Sequence, residues 1–182
     1  KFINLAMFAT IVLDEADRML DMGFIADMRF LMSLMPKKRH ALCFSATMPR
    51  EFELLVKEFL NKPLTIVAKT GETPANIYQD VIRVSHGEKI GTLCNLLAKD
   101  EFRKVLIFGR TKHGVERLSK NLLDYGFKAD SIHGDKNYAS RLKALESFKA
   151  DSITVLVATD VAARGLDIPD VSHVINYDVP AT

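Results

Sequence analysis

The sequence predicts an α/β protein in which parallel sheets carry helices on both faces. Three observations predict it. Short apolar, β-branched runs alternate with stretches whose apolar residues recur at helical spacing. The repeated β-α units are long enough for crossover connections, which imply parallel, right-handed topology. A composition of 48% hydrophobic and 26% charged residues over 182 positions supplies enough apolar surface to bury a core, which argues against disorder.

Taken in order, Phe8 to Leu13 is an apolar run ending abruptly in acids and reads as a buried strand. Arg18 to Met35 reads as one helix closed by Pro36, His40 to Phe44 as a second strand, and Arg50 to Leu60 as an amphipathic helix. A polar segment at 69–76, Lys-Thr-Gly-Glu-Thr-Pro-Ala-Asn, breaks either kind of regular structure and is the expected linker. The seven Met residues all precede it, between Met7 and Met48, so composition also divides the chain there. Beyond it, strands are expected at Asp80 to Val84, Lys104 to Phe108, Lys128 to Ile132, Thr154 to Val157 and His173 to Asn176. Helices are expected at Glu88 to Ala98, His113 to Tyr125 and Ala139 to Phe148.

Lys+Arg 25 against Asp+Glu 23 gives a net charge of +2, so composition makes no case for a strongly basic nucleic-acid binder; any such role must come from placed residues. Cys43 and Cys94 lie far apart without metal-ligand neighbours, which favours a reducing, intracellular and cytoplasmic setting with both thiols as apolar filler. No apolar run reaches membrane-span length and none resembles a signal peptide. A start at Lys1 and a stop two residues after Pro180 suggest a fragment.

Function in such folds gathers beyond the carboxyl ends of the strands. Those ends read Asp14-Glu15-Ala16-Asp17 and Ser45-Ala46-Thr47 in the first part. In the second they read Gly109-Arg110-Thr111-Lys112, His133-Gly134-Asp135 and Ala158-Thr159-Asp160. Carboxylates at the mouth of a buried strand suit Mg²⁺, a hard cation that retains several waters, and a second carboxylate beside it could take a proton from an attacking water. The competing reading makes Asp14 or Asp17 a helix cap. A phosphorylatable receiver domain also uses a strand-end acidic pair, but it needs a further strand between Glu15 and Ser45, where only one helical stretch fits.

Val12-Leu13-Asp14-Glu15-Ala16-Asp17-Arg18-Met19-Leu20 resembles the signature of DEAD-box ATP-dependent RNA helicases. Ser45-Ala46-Thr47, then Ile132-His133-Gly134-Asp135-Lys136, then Ala158 to Asp167 with Ala162-Ala163-Arg164-Gly165-Leu166-Asp167 at its end, follow in the family's order. The resemblance covers essentially the whole chain and implies two RecA-like lobes, with ATP and RNA bound across the cleft between them. On that basis residues 1–68 are the later part of an incomplete first lobe, 69–76 the linker, and 77–182 a second lobe cut before its Arg-rich motif.

The resemblance further implies that Asp14 holds Mg²⁺ through water, that Glu15 is the base orienting the hydrolytic water, and that Asp17 hydrogen-bonds Ser45 or Thr47 to couple ATPase chemistry to strand separation. Asp167 would contact the ribose of the nucleotide and Gly165 would admit its phosphates. Arg110, Thr111, Lys112, Gly134, Asp135 and Thr159 would touch the RNA sugar-phosphate backbone, where contacts carry little sequence information.

Each has a plainer competitor. Ser45 and Thr47 could cap the helix near Arg50, Gly134 could merely supply an unusual φ, and Arg164 could be a structural ion-pair cation. The Met28, Met32, Met35 stripe reads as core, and Lys37-Lys38-Arg39 as a solvated basic turn. Two family elements are missing: a G-x-x-x-x-G-K-[ST] phosphate loop, and the Arg-rich segment beyond Tyr177-Asp178-Val179-Pro180 that supplies the arginine finger. Both gaps lie at the chain ends, which fits truncation, and the isolated chain is expected not to hydrolyse ATP. Tyr138 stands where relatives commonly carry Gln, with Arg141 retained.

Overall fold

In this computed structural model, residues 3–68, 77–163 and 168–178 are described. The chain forms two compact units, Lys1–Ile77 and Tyr78–Thr182. The expected linker at 69–76 lies outside the described residues, as do Arg164, Gly165 and Asp167.

In the first unit, strand β1 (Thr10–Leu13) pairs in parallel with β2 (His40–Cys43), Thr10 opposite His40. Helices α1 (Ala16–Asp21) and α2 (Ile25–Leu34) connect them, and α3 (Arg50–Phe59) follows. The single helix expected over Arg18 to Met35 is therefore two. Gly23, at φ 78°, ends the first: its N–H donates to Leu20 O and that of Phe24 to Met19 O, the paired bonds of a Schellman cap. Leu13, Ala16, Met28, Met32, Phe52, Leu55 and Phe59 form the core, so the methionine stripe is interior packing, Met35 included. Arg39 departs from the solvated basic turn. Its Nη1 donates to Pro36 O at 3.1 Å and so satisfies a carbonyl beyond the end of α2.

The other face of this small sheet is open. Val12 and Leu42, with Phe8 and Phe44 just outside the strands, expose large apolar side chains. A parallel pair is ordinarily covered on both faces.

In the second unit, β3 (Val105–Phe108), β4 (Ala129–Ile132), β5 (Val155–Ala158) and β6 (His173–Asn176) form an all-parallel sheet of order β4-β5-β3-β6. Alternate strand residues serve two cores. Val105, Ile107, Ala129, Val155 and Val157 pack with Leu93 and Leu97 of α4 (Lys89–Leu97) and with Val115, Leu118 and Leu122 of α5 (Lys112–Asp124). On the opposite face Ile132, Leu156 and Ala158 pack with Ala144 and Phe148 of α6 (Tyr138–Lys149). Central β5 is buried along its whole length, as its apolar run requires.

The strand expected at Asp80 to Val84 does not form. Residues 77–85 have no regular structure and no described strand pairs with them. The segment has strand-like residues, but a strand exists only with a hydrogen-bonding neighbour.

Candidate functional site

The site residues of the first unit meet where β1 and β2 end. Backbone bonds continue the pairing past the strands: Phe44 N–H donates to Leu13 O and Ala16 N–H to Phe44 O. This draws the two strand ends together. Glu15 stands at the turn from β1 into α1 with φ 48° and ψ 45°, a left-handed conformation that is uncommon for a non-glycine residue and costs about 1 kcal/mol or more. Asp14 Oδ1 accepts from Glu15 N at 2.9 Å, which steadies the turn. No side chain caps α1, so the cap reading of Asp14 fails, and Asp17 sits inside the first turn instead.

Asp17 Oδ2 accepts from both the amide (2.9 Å) and the hydroxyl (2.7 Å) of Thr47. The Thr47 hydroxyl is the first cause holding the Asp17 carboxyl below its ordinary value, with Ser45 adding in the same direction. Ser45 Oγ donates to Thr47 O at 2.7 Å. Neither residue caps α3, whose N-cap is Pro49.

In the second unit the ends of β3, β4 and β5 lie along one edge of the parallel sheet. Thr111 is the N-cap of α5, its hydroxyl accepting from Gly114 N at 3.0 Å. Arg110 N–H donates to Asp178 Oδ2 at 3.0 Å, and Asp178 also accepts from Lys89 Nζ at 2.9 Å, so the turn after β3 is braced from the end of β6. Lys112 Nζ lies 2.7 Å from Asp135 Oδ1, bringing two candidate RNA contacts onto each other and lowering the Asp135 pKa. Gly134 does not have the unusual φ considered for it, and a Cβ added there would meet nothing within 4 Å. Its open face leaves room for an outside chain to approach the backbone. Gly109, by contrast, is structural, because a Cβ would fall 2.8 Å from Val115 Cγ2. Thr159 is buried, and its N–H donates to Ile132 O.

Residues 2–55 match the family described as DEAD/DEAH box helicase, and residues 88–182 match the helicase conserved C-terminal domain. The second match alone spans more than half of the chain. The chain belongs to the DEAD-box helicases. A DEAD-box protein from the hyperthermophile Methanococcus jannaschii is 40% identical over 98% of the chain, with a TM-score of 0.56. The yeast DEAD-box splicing factor Prp28 is 30% identical over 97%, TM-score 0.54. Dbp5 of S. cerevisiae, solved bound to RNA and ADP BeF3, is 29% identical over 99%, TM-score 0.79. The chain spans 48%, 40% and 47% of those three structures. Its two units are thus RecA-like α/β lobes of an ATP-dependent RNA helicase family.

Several residues that brace the strand ends of the second unit escaped the sequence reading. Glu116 on α5 accepts from Ser131 Oγ (2.7 Å) and from His133 Nε2 (3.2 Å), contacts that help carry its pKa down from 4.5 to about 2. The available signal was Ser131, a polar residue at a buried strand position that requires a partner. Asp178 and Lys89 had no such signal, since their pairing joins segments 89 residues apart. Tyr138 opens α6 as an exposed side chain, and Arg141 keeps a buried Nε without a hydrogen-bond partner. No helix among the described residues is long and apolar enough to cross a membrane.

Proposed function

We propose that the parent protein couples ATP binding and hydrolysis to local unwinding of RNA duplexes, and that the isolated chain does not hydrolyse ATP. The observation that carries the reading is the strained Glu15 beside Asp14, in a turn tied through Asp17 to Thr47. Strain kept at a strand end, where an ordinary turn would relax, supports a functional demand on that side chain. Glu15 orients the attacking water and accepts its proton. Asp17 and Thr47 transmit the state of that turn to the Ser45 to Thr47 segment, while Gly165 and Asp167 contact the nucleotide.

The donors fit Mg²⁺. Asp14 is an exposed carboxylate at the mouth of β1, a hard oxygen donor. That suits an ion held by one carboxylate through its own waters. When bound with ATP, Mg²⁺ neutralises phosphate charge. Arg110, Thr111, Lys112, Gly134, Asp135 and Thr159 engage the RNA backbone; the Thr111 hydroxyl caps α5 as an acceptor and keeps its own O–H as a donor for a phosphate oxygen. Such binding is insensitive to base sequence and steeply salt-dependent.

A malachite-green phosphate assay tests this. RNA-stimulated turnover is expected in the full-length protein, reduced by about 10² or more in Glu15→Gln, with none in the 182-residue chain. Turnover by the chain that Glu15→Gln abolishes would contradict the second half of the proposal. The absence of a phosphate-cradling loop from the sequence favours one other reading, that the chain serves as a non-hydrolysing RNA-binding or partner-docking module. RNA binding by the chain without turnover would support it.

A further inference from the structure

Helix α5 holds the turn after β4 from one side. Lys112, Glu116 and Lys120 recur at a spacing of four and share one helix face. Lys112 reaches Asp135, and Glu116 reaches Ser131 and His133. Lys136 Nζ, 3.7 Å from Glu116 and 2.8 Å from Asp130, closes the group from the far side of the turn. The two arms differ in strength. Lys112 and Asp135 are each about half exposed (49%), so water and salt weaken that pair. Ser131 and His133 are buried, and their bonds to an ionised carboxylate are of the stronger, charge-assisted kind.

The His133 ring has one hydrogen bond among the described residues, the one to Glu116. Its Nδ1 is buried and unpartnered. The carboxylate only accepts, so it selects the tautomer with the proton on Nε2. Ring orientation and tautomer both depend on Glu116. Gly134, next in the chain, has no side chain and can meet RNA only through its backbone, so its position must be fixed by its neighbours.

We infer that Glu116 is a positioning residue for RNA: through Ser131 and His133 it holds the His133–Asp135 turn so that the exposed backbone of Gly134 is aligned with a sugar-phosphate chain. The inference rests on the reading of Gly134 and Asp135 as RNA contacts. Glu116 does not touch RNA itself, since its oxygens are taken up by Ser131, His133, Lys120 and Lys136.

The test is fluorescence anisotropy of a single-stranded oligouridine with the full-length protein and ADP–beryllium fluoride, alongside thermal unfolding. Glu116→Ala is expected to weaken RNA binding about tenfold, the worth of one charge-assisted bond. Glu116→Gln keeps an acceptor for Ser131 and His133 and should recover most of that loss. Lys104→Met, which perturbs the opposite end of the same sheet, should lower the melting temperature and leave RNA affinity within twofold. Wild-type affinity in Glu116→Ala, or an equal loss in Lys104→Met, overturns the inference.

Should Glu116→Ala not fold, ¹⁵N NMR of the His133 imidazole decides. The Nε2-protonated tautomer is expected in the wild type, and an Nδ1-protonated ring overturns the inference. The reading beneath it fails separately: if Thr159→Val and Lys112→Ala leave RNA affinity unchanged, Gly134 and Asp135 are not at an RNA site. A loss in those two but not in Glu116→Ala removes only the positioning role.

Discussion

Glu15 carries two demands that can be separated by substitution. Its left-handed backbone is a cost that glycine would not bear, while its carboxylate is the group proposed for water activation. Glu15→Gly should therefore raise the unfolding free energy of the first unit by up to about 1 kcal/mol and abolish ATPase in the full-length protein, measured by urea titration and phosphate release. A stability loss would mean that the lost side-chain contacts and the greater freedom of glycine in the unfolded chain outweigh the relieved strain. Thr47→Val should cost about 1 kcal/mol at neutral pH by removing one hydrogen bond to Asp17. Because Thr47 lowers the Asp17 pKa from 3.8, the stabilisation is present above that value and is lost as pH falls through the lowered one. The difference between wild type and Thr47→Val should accordingly shrink in strong acid. At this scale the pairing of Asp17 with Ser45 or Thr47 came from the resemblance of the motifs to the family, and the bonds to Thr47 are present in the fold. The sequence was silent on the strain at Glu15, since a positive φ follows from how strand and helix meet and leaves no mark in residue type.

Elements were legible wherever apolar spacing and burial agreed. Strands β3 to β6 and helices α4 to α6 fall within a residue or two of the expected positions, because helices cover both faces of their sheet and the pattern is redundant, and α3 does so through its own amphipathic face. The failures have local causes. The helical period through Arg18 to Met35 outweighed one glycine that ends α1 in a Schellman cap, and Asp80 to Val84 has strand composition without a pairing strand. Gly23→Ala should cost about 1 kcal/mol, read as a lower melting temperature of the first unit.

Lys104 is a second element-scale device. Its buried ammonium donates to Lys149 O at 3.2 Å and lies 2.7 Å from Asp151, whose φ of 57° closes the end of α6. Lys104→Met should cost about 1–3 kcal/mol by leaving that helix end unsatisfied. The tie between α5 and β4 has its own pH signature. With its pKa depressed from 4.5 to about 2, Glu116 contributes stability above pH 4.5 that disappears as pH falls towards 2. Urea midpoints of the second unit should drop across that window in the wild type and change less in Glu116→Gln.

For the whole molecule, the two units differ in how fully their sheets are enclosed. Native-state hydrogen exchange should find the amides of β3 and β5 the slowest and those of β1 and β2 much faster, because a two-stranded sheet is marginal alone. Equal protection in both units would contradict this. Near-neutral composition left any RNA role to placed residues, and the proposed contacts are a few residues at strand ends, one of whose cations, Lys112, already faces a carboxylate. The order of the motifs can be read along the sequence itself, whereas ties such as Lys89 with Asp178 appear only on folding.

The small sheet of the first unit also has lateral consequences. Apart from the bonds β1 and β2 make to each other, each has a flank of main-chain donors and acceptors that no described strand takes up. Such flanks are templates, able to accept a strand of matching length on either side. In a longer polypeptide they are where the sheet would widen during folding. In the 182-residue chain held at high concentration, the same flanks make intermolecular strand addition the expected route to precipitation.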